Sequence, residues 1–293
     1  MGDLQVIAES AGVSLSHESS DSRVARLGRA LRSGSFFLVY GCYLTVCIGL
    51  GQRLLLWPAM VLVPRRRRAM VRAWLRFHAR ATLALARVLA GVRVTVRGAL
   101  PVESCIVVMN HQSVLDIPLG IALVRGPYPL IPTRDRYRRG IPGISPLARL
   151  ARFPFVSQKR MLSRPELTAL TDAADQVARG EQSLLIFPEG HRSRDGRIAK
   201  FMRSGLRITL VRAKRPIYCV VADGMAHTRT FADSVTRFAG THVTITIDGP
   251  FPSPEEEQVD DFIDFLHERM TATIVDMRPA DAATPLRAPA PTD

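Results

Sequence analysis

Two side chains five positions apart, His111 and Asp116, form the arrangement with the clearest chemistry in this sequence. They lie in Asn110-His111-Gln112-Ser113-Val114-Leu115-Asp116, between one apolar run, Cys105 to Met109, and a second, Leu115 to Leu123. An imidazole held by a carboxylate can take a proton from a hydroxyl group, while the carboxylate fixes the tautomer and stabilises the imidazolium. Residues five apart in a regular helix point about 140° away from one another. The pair therefore meets only if His111 sits in the turn before a helix and Asp116 in its first turns. Asn110 and Ser113 are both good N-cap types and put the helix start there. A helix N-terminus disfavours positive charge, which leaves the imidazole neutral and able to accept a proton. Backbone N–H groups of that helix are candidates for holding an oxyanion. The same residues also suit a plain capped helix start with a first-turn charge.

A second stretch reads as a strand running into an anion loop. Ser183 to Phe187 is a buried-strand pattern followed by Pro188-Glu189-Gly190-His191-Arg192-Ser193-Arg194-Asp195-Gly196. Gly190 permits close backbone approach, and Arg192 offers a planar fork for phosphate oxygens. A solvated loop with a surface Glu–Arg pair would use the same residue types. Two such loops, each at the C-terminal end of an expected strand, occupy the edge where open α/β sheets bind ligands.

Taken in this order and spacing, Asn110 to Asp116 and Phe187 to Ser193 resemble the glycerolipid acyltransferase family, PlsC-like. Its members include 1-acylglycerol-3-phosphate acyltransferases and related lysophospholipid acyltransferases. The resemblance covers residues 90–225 and does not specify the acceptor. It implies acyl transfer from a thioester, acyl-CoA or acyl carrier protein, to a lipid hydroxyl, with no metal, cofactor or covalent intermediate. Carried over, His111 of the His-x4-Asp pair is the general base and Asp116 its partner. Glu189, Gly190, Arg192 and Ser193 shape the acceptor site, with Arg192 near the phosphate. Phe153 to Arg160 takes the place of the family's second block. There Gln158 stands where arginine is usual, and Lys159 and Arg160 replace the lost charge. Arg134 to Gly143 looks like the linker to that block, and Lys200 to Gly205 like the basic turn after the third motif. His191 stands where threonine is common, and Pro216 to Val221 lacks the usual second proline. The implied function is O-acylation of a lysophospholipid, first 1-acylglycerol-3-phosphate, to make phosphatidic acid. The alternatives are another lysolipid acceptor, such as a lyso-ornithine lipid, or a catalytically silent lipid-binding protein.

Several elements must position these residues. Expected strands are Val92–Val96, Cys105–Met109, Pro129–Pro132, Phe153–Ser157, Ser183–Phe187, Pro216–Ala222 and His242–Ile247. Expected helices are Val114–Val124, Pro165–Arg179, Gly205–Ala213 and Glu255–Asp276, the last announced by Ser253-Pro254-Glu255-Glu256. The alternation predicts an α/β fold, a mixed sheet covered by helices, with an N-terminal membrane-associated helical hairpin. The expected organisation is a disordered 1–20, membrane-associated helices over 21–90, an α/β acyltransferase domain over 91–277, and a Pro/Ala-rich disordered tail over 278–293.

The hairpin rests on two apolar runs, Phe36 to Leu50 and Leu54 to Val63, with Gly51-Gln52-Arg53 between them. The first run makes roughly 22 Å of helix, short of a ~30 Å hydrocarbon core. Arginines flank both sides, Arg23 to Arg32 and Arg65 to Arg68, so charge favours neither orientation. That symmetry favours a hairpin dipping into one leaflet and bending at Gly49, Gly51 and Pro58. A single span and a buried hairpin are the alternatives. Residues 69–90 read as a helix, either interfacial with snorkelling arginines or packed on the core.

Composition agrees with a membrane partner. The chain has 293 residues, 47% hydrophobic content and a formal net charge of +14, so anionic surfaces attract it. It has no nucleic-acid reader motif and few aromatics. The four cysteines, Cys42, Cys47, Cys105 and Cys219, show no metal-ligand spacing and read as small buried hydrophobes in a reducing cytoplasm. The expected location is the cytoplasmic face of a bacterial inner membrane.

Overall fold

The computed structural model describes residues 8–157, 162–193, 195–228 and 230–278, with side chains described from residue 23 onward. Helix α1 (Ala8–Tyr43) continues through π-helical stretches at Leu44–Leu50 and Gln52–Leu56 into α2 (Trp57–Leu62). A turn at Val63 and a short 3₁₀ segment, Pro64–Arg66, reverse the chain into α3 (Arg67–Ala90). Then follow β1 (Arg93–Arg97), β2 (Ile106–Met109), α4 (Asp116–Leu123), β3 (Pro129–Leu130), β4 (Thr133–Arg134), α5 (Ile144–Leu150) and β5 (Phe155–Val156). The chain continues with α6 (Arg164–Ala178), β6 (Ser183–Ile186), α7 (Arg203–Ala213), β7 (Ile217–Asp223), α8 (Phe231–Arg237), β8 (His242–Phe251) and α9 (Val259–Asp276).

Six strands form one mixed sheet in the order β1-β8-β7-β2-β6-β3, and β4 pairs with β5 in a separate parallel ribbon. β2, β3, β6 and β7 run parallel, whereas β8 is antiparallel to β7. β2 and β6 are buried along their whole length, as strands covered by helices on both faces must be. At the sheet edge, β1 is exposed along its length and carries Arg93, Thr95 and Arg97, polar residues that discourage pairing with another chain. Ser163 and Glu166 cap α6 reciprocally, which sets the helix start one residue before the expected Pro165. The sequence reading missed α5 and α8, both of only seven residues, too short for a periodic apolar pattern to stand out.

The hairpin differs from expectation. There is no reversal at Gly49, Gly51 or Pro58; the helix runs on to Leu62 and turns at Val63. Pro58 is the second residue of α2, directly after the π-helical stretch that ends at Leu56, and the helix passes it without a break. Val63 leaves helical geometry ahead of Pro64, the restriction that a following proline imposes. The second arm is therefore α3, and Arg65 to Arg68 lie at the tip. α3 buries Val71, Leu75, His78, Ala79, Thr82, Ala86 and Ala90, one stripe at helical spacing, so it packs on the core. Its Arg76 donates to the carbonyls of Val124 and Gly126 at 3.0 and 2.5 Å, closing off the end of α4.

α1 begins at Ala8, inside the segment expected to be disordered; no proline stands there to break a helix. The segment 23–62 is one helix long and apolar enough to cross a membrane by length and composition. Cys42 and Cys47 lie exposed on it, contrary to expectation, because they face away from the packed side. Cys105 and Cys219 are buried in β2's approach and β7. Burial pushes those two thiols up to about 11 and about 12. At the other end, residues 279–293 of the expected tail lie outside the described residues, but Arg278 is held by an ion pair with Asp223.

Candidate active site

The loop after β2 carries His111, and the neighbouring loop after β6 carries Glu189 and Gly190. Nδ1 of His111 is 2.8 Å from Oδ2 of Asp116. That same oxygen accepts the backbone N–H groups of Gln112 at 2.6 Å and Ser113 at 2.7 Å. Asp116 is fully buried and opens α4. A carboxylate that already accepts two N–H groups acts as acceptor toward the ring as well. Nδ1 therefore carries the proton, and Nε2 is the basic nitrogen.

Two expectations about this turn change. The N-cap of α4 is Leu115, with no side-chain cap, because both expected cap residues are engaged elsewhere. Asn110 pairs with the β7 backbone, donating to Ala222 O at 2.8 Å and accepting from Ala222 N at 2.7 Å. The Ser113 hydroxyl accepts from Leu115 N. The N–H groups of Gln112 and Ser113 are already used by Asp116, so those two cannot hold an oxyanion.

Glu189 does not face the cavity. It is 1% exposed, with one oxygen accepting His111 N–H at 2.8 Å and the other Ala199 N–H at 2.9 Å. Removal from water pushes its carboxyl up to about 7, against the opposing pull of those two N–H groups. Ser193 likewise turns inward: its hydroxyl donates to Arg197 O and accepts from Gly196 N, both at 2.9 Å. Its backbone N–H donates to the His111 carbonyl at 2.6 Å. These residues join the two loops rather than line the site.

A cavity of about 160 Å³ opens beside His111, walled by Ile117, Ile131, Phe187, Met202 and Leu206, with Arg134, Tyr137 and Gly190 on its polar side. The His111 ring packs against Phe187 with centroids 4.6 Å apart. Among the described residues the arginine lining this cavity is Arg134, not the expected Arg192. Its Nε and Nη2 donate to Gly190 O at 3.1 and 2.6 Å. Burial and the nearby Arg136 and Arg192 charges lower its affinity for a proton. Arg192 is half-buried outside that lining and forms no ion pair with a described residue. Lys159 and Arg160 lie outside the described residues.

Sequence reasoning missed a polar chain behind the motif. Gln112 donates to Asp223 Oδ1 at 3.0 Å and accepts from Met225 N at 3.1 Å. Asp223 in turn holds Arg278 by two bonds of 2.8 Å, and Arg278 reaches Gly196 O at 2.6 Å. The polar residues flanking His111 were the available signal; their partners lie more than a hundred positions away.

A family model described as Acyltransferase matches residues 92–223. The 1-acyl-sn-glycerol-3-phosphate acyltransferase alpha of Homo sapiens is 27% identical over 166 residues, 56% of this chain and 56% of that protein. The protein of the same name from Mus musculus is 32% identical over 141 residues, 46% of this chain and 47% of its own length. The chain thus spans about half the length of these curated relatives. A crystal structure of the 1-acyl-sn-glycerophosphate (LPA) acyltransferase PlsC from Thermotoga maritima superposes with a TM-score of 0.64 at 21% identity, covering 87% of this chain and 97% of that one. At that identity the likeness speaks for the fold. Over residues 92–223 the chain is thus similar to the acyltransferase family, and the curated relatives it resembles carry the name of glycerolipid acyltransferases.

Proposed function

We propose that this chain is an O-acyltransferase. It moves a fatty acyl group from acyl-CoA or acyl carrier protein to the free hydroxyl of a lysophospholipid, first 1-acylglycerol-3-phosphate. The observation that carries the reading is the 2.8 Å His111–Asp116 pair at the mouth of a largely apolar cavity with a cationic side. The printed name of the curated relatives supports the acceptor.

In this scheme Nε2 of His111 takes the hydroxyl proton as the oxygen attacks the thioester carbonyl. Asp116 stabilises the imidazolium. The C–S bond then breaks, and the proton on Nε2 passes to the leaving thiolate. Arg134, joined by Arg192 and by Lys159 or Arg160 as further cations, holds the acceptor phosphate. The apolar wall receives an acyl chain. The scheme calls for no metal or organic cofactor. The apolar helix and its flanking arginines support a location at a membrane; the cytoplasmic face of a bacterial inner membrane is the location proposed.

His111→Ala is expected to lower acyl transfer by about 10²–10⁴-fold, with the fold retained at a cost of about 1–3 kcal/mol for the partner Asp116 loses and unchanged vesicle binding. Labelled acyl-CoA and a panel of lysolipids measure this. Near-normal turnover in the variant removes His111 from the mechanism.

A further inference from the structure

Gln52 and Arg53 interrupt the apolar N-terminal run, and the acyl-transfer scheme uses neither. Both fall in the π-helical stretch Gln52–Leu56, a local widening that recurs at functional sites. Gln52 is buried and donates to Gly143 O at 2.7 Å, pinning the helix to the loop before α5. Its Oε1 is buried with no hydrogen-bond partner among the described residues. Arg53 faces two adjoining cavities of about 400 and 440 Å³ along the seam between this helix and α5. Arg149 lines both, and Arg139 lines the larger.

Among the described residues, no aspartate or glutamate lines either cavity. None of the three arginines forms an ion pair with a described residue. All three arginines line the larger cavity, and like charges gathered at one opening favour a counter-anion there. The far wall is built rather than loose. Ser145 accepts from Ile141 N at 3.1 Å and donates to Tyr137 O at 2.9 Å, and Arg149 donates to the Arg138 carbonyl. On the same helix Leu50, Leu54, Leu55 and Trp57 are exposed, Leu54 by 70% and Trp57 by 59%. Exposed leucines beside a tryptophan and arginines match the boundary between acyl chains and headgroups.

We propose that Arg53, Arg139 and Arg149 form a binding site for the phosphate of an anionic bilayer phospholipid, separate from the catalytic cavity. The phosphate meets the three guanidinium groups, and a hydroxylated headgroup supplies a donor for Gln52 Oε1. The lipid's acyl chains lie along the exposed leucines. The site stands whether or not the chain transfers acyl groups.

Trp57 lines the smaller cavity, so its fluorescence reports occupancy in the full chain. The probes are phosphatidylcholine vesicles with and without phosphatidylglycerol, inorganic phosphate, and coenzyme A. Arg53→Gln/Arg139→Gln/Arg149→Gln is expected to weaken binding to phosphatidylglycerol vesicles roughly 100-fold, and Arg53→Gln alone about fivefold. The control with the same charge change, Arg93→Gln/Arg97→Gln/Arg164→Gln, is expected to lose less than about threefold, and phosphatidylcholine alone to bind weakly in every variant. Equal losses in both triple variants would reveal diffuse attraction and overturn the site, as would wild-type binding by the Arg53 triple. A Trp57 response to coenzyme A or inorganic phosphate that displaces vesicles would assign the cavity to a soluble phosphate instead. Arg53→Gln changes one exposed side chain, so a fold-defective triple leaves the single variant to decide.

Discussion

Asp116 gathers three donors on one oxygen, and that concentration makes the loop after β2 rigid enough to aim an imidazole. Its neighbour Glu189 carries a heavier electrostatic load. Burial raises its carboxyl from 4.5 to about 7. Between those values the folded chain keeps a proton that the unfolded chain has released, so stability falls as pH rises through the window and levels off above it. The shift corresponds to about 3 kcal/mol. Glu189→Gln is expected to flatten that pH dependence in urea unfolding, while costing about 1–3 kcal/mol at low pH because an amide cannot accept through both ends. An equally steep wild-type and variant profile would mean that Glu189 stays ionised throughout. Gly190 has φ +67, and an added Cβ would lie 2.3 Å from Met202 Sδ. Gly190→Ala is expected to lose about 1–3 kcal/mol. Adding Met202→Ala should recover the clash but not the backbone strain, which a double-mutant cycle by thermal melting separates.

At the level of elements, one aromatic cluster docks the long N-terminal helix. Phe36 is fully buried and stacks on Phe238 with centroids 4.8 Å apart, and Ala239 N donates to Ser33 Oγ at 2.8 Å. Beyond that point the helix exposes Val46, Leu50, Leu54, Leu55 and Leu62. α1 is thus anchored at residues 33–37 and presents an apolar surface further on. Phe36→Ala is expected to cost about 3–5 kcal/mol and to raise amide exchange along α1 first, before β2 or β6. Uniform loss of protection across the sheet would show that the helix and the α/β domain unfold as one unit.

Across the whole molecule, Arg278 ties distant parts of the chain together. It joins the end of α9 to Asp223 on β7, through Asp223 to Gln112 beside His111, and directly to the loop at Gly196. Both partners are largely shielded from water, with side chains 27% and 15% exposed. Arg278→Ala is expected to cost about 1.5–3 kcal/mol and to increase exchange at Gly196 and Met225. Unchanged exchange at both amides would show that the clasp does not brace the motif loops. The net charge of +14 acts at this scale too, drawing the chain to anionic surfaces before any particular arginine is engaged.

Local pattern carried much of the fold and the centre of the site. Apolar runs ending in polar loops marked β2, β6 and β7, because buried parallel strands need unbroken apolar stretches whatever their neighbours. His111 and Asp116 were legible because five residues of one strand-to-helix turn suffice to bring them together. The inward turn of Glu189 and Ser193, the choice of Arg134 over Arg192 as cavity wall, and the partners of Asn110 and Gln112 were not. Each depends on which loop lies beside which once the sheet has ordered its strands, and contacts between positions a hundred residues apart leave no mark in local spacing. The bend of the hairpin moved from Gly49–Pro58 to Val63. Glycine only permits a break; Pro64 forces Val63 out of helical geometry, and packing of α1 and α3 against the same core fits a turn there.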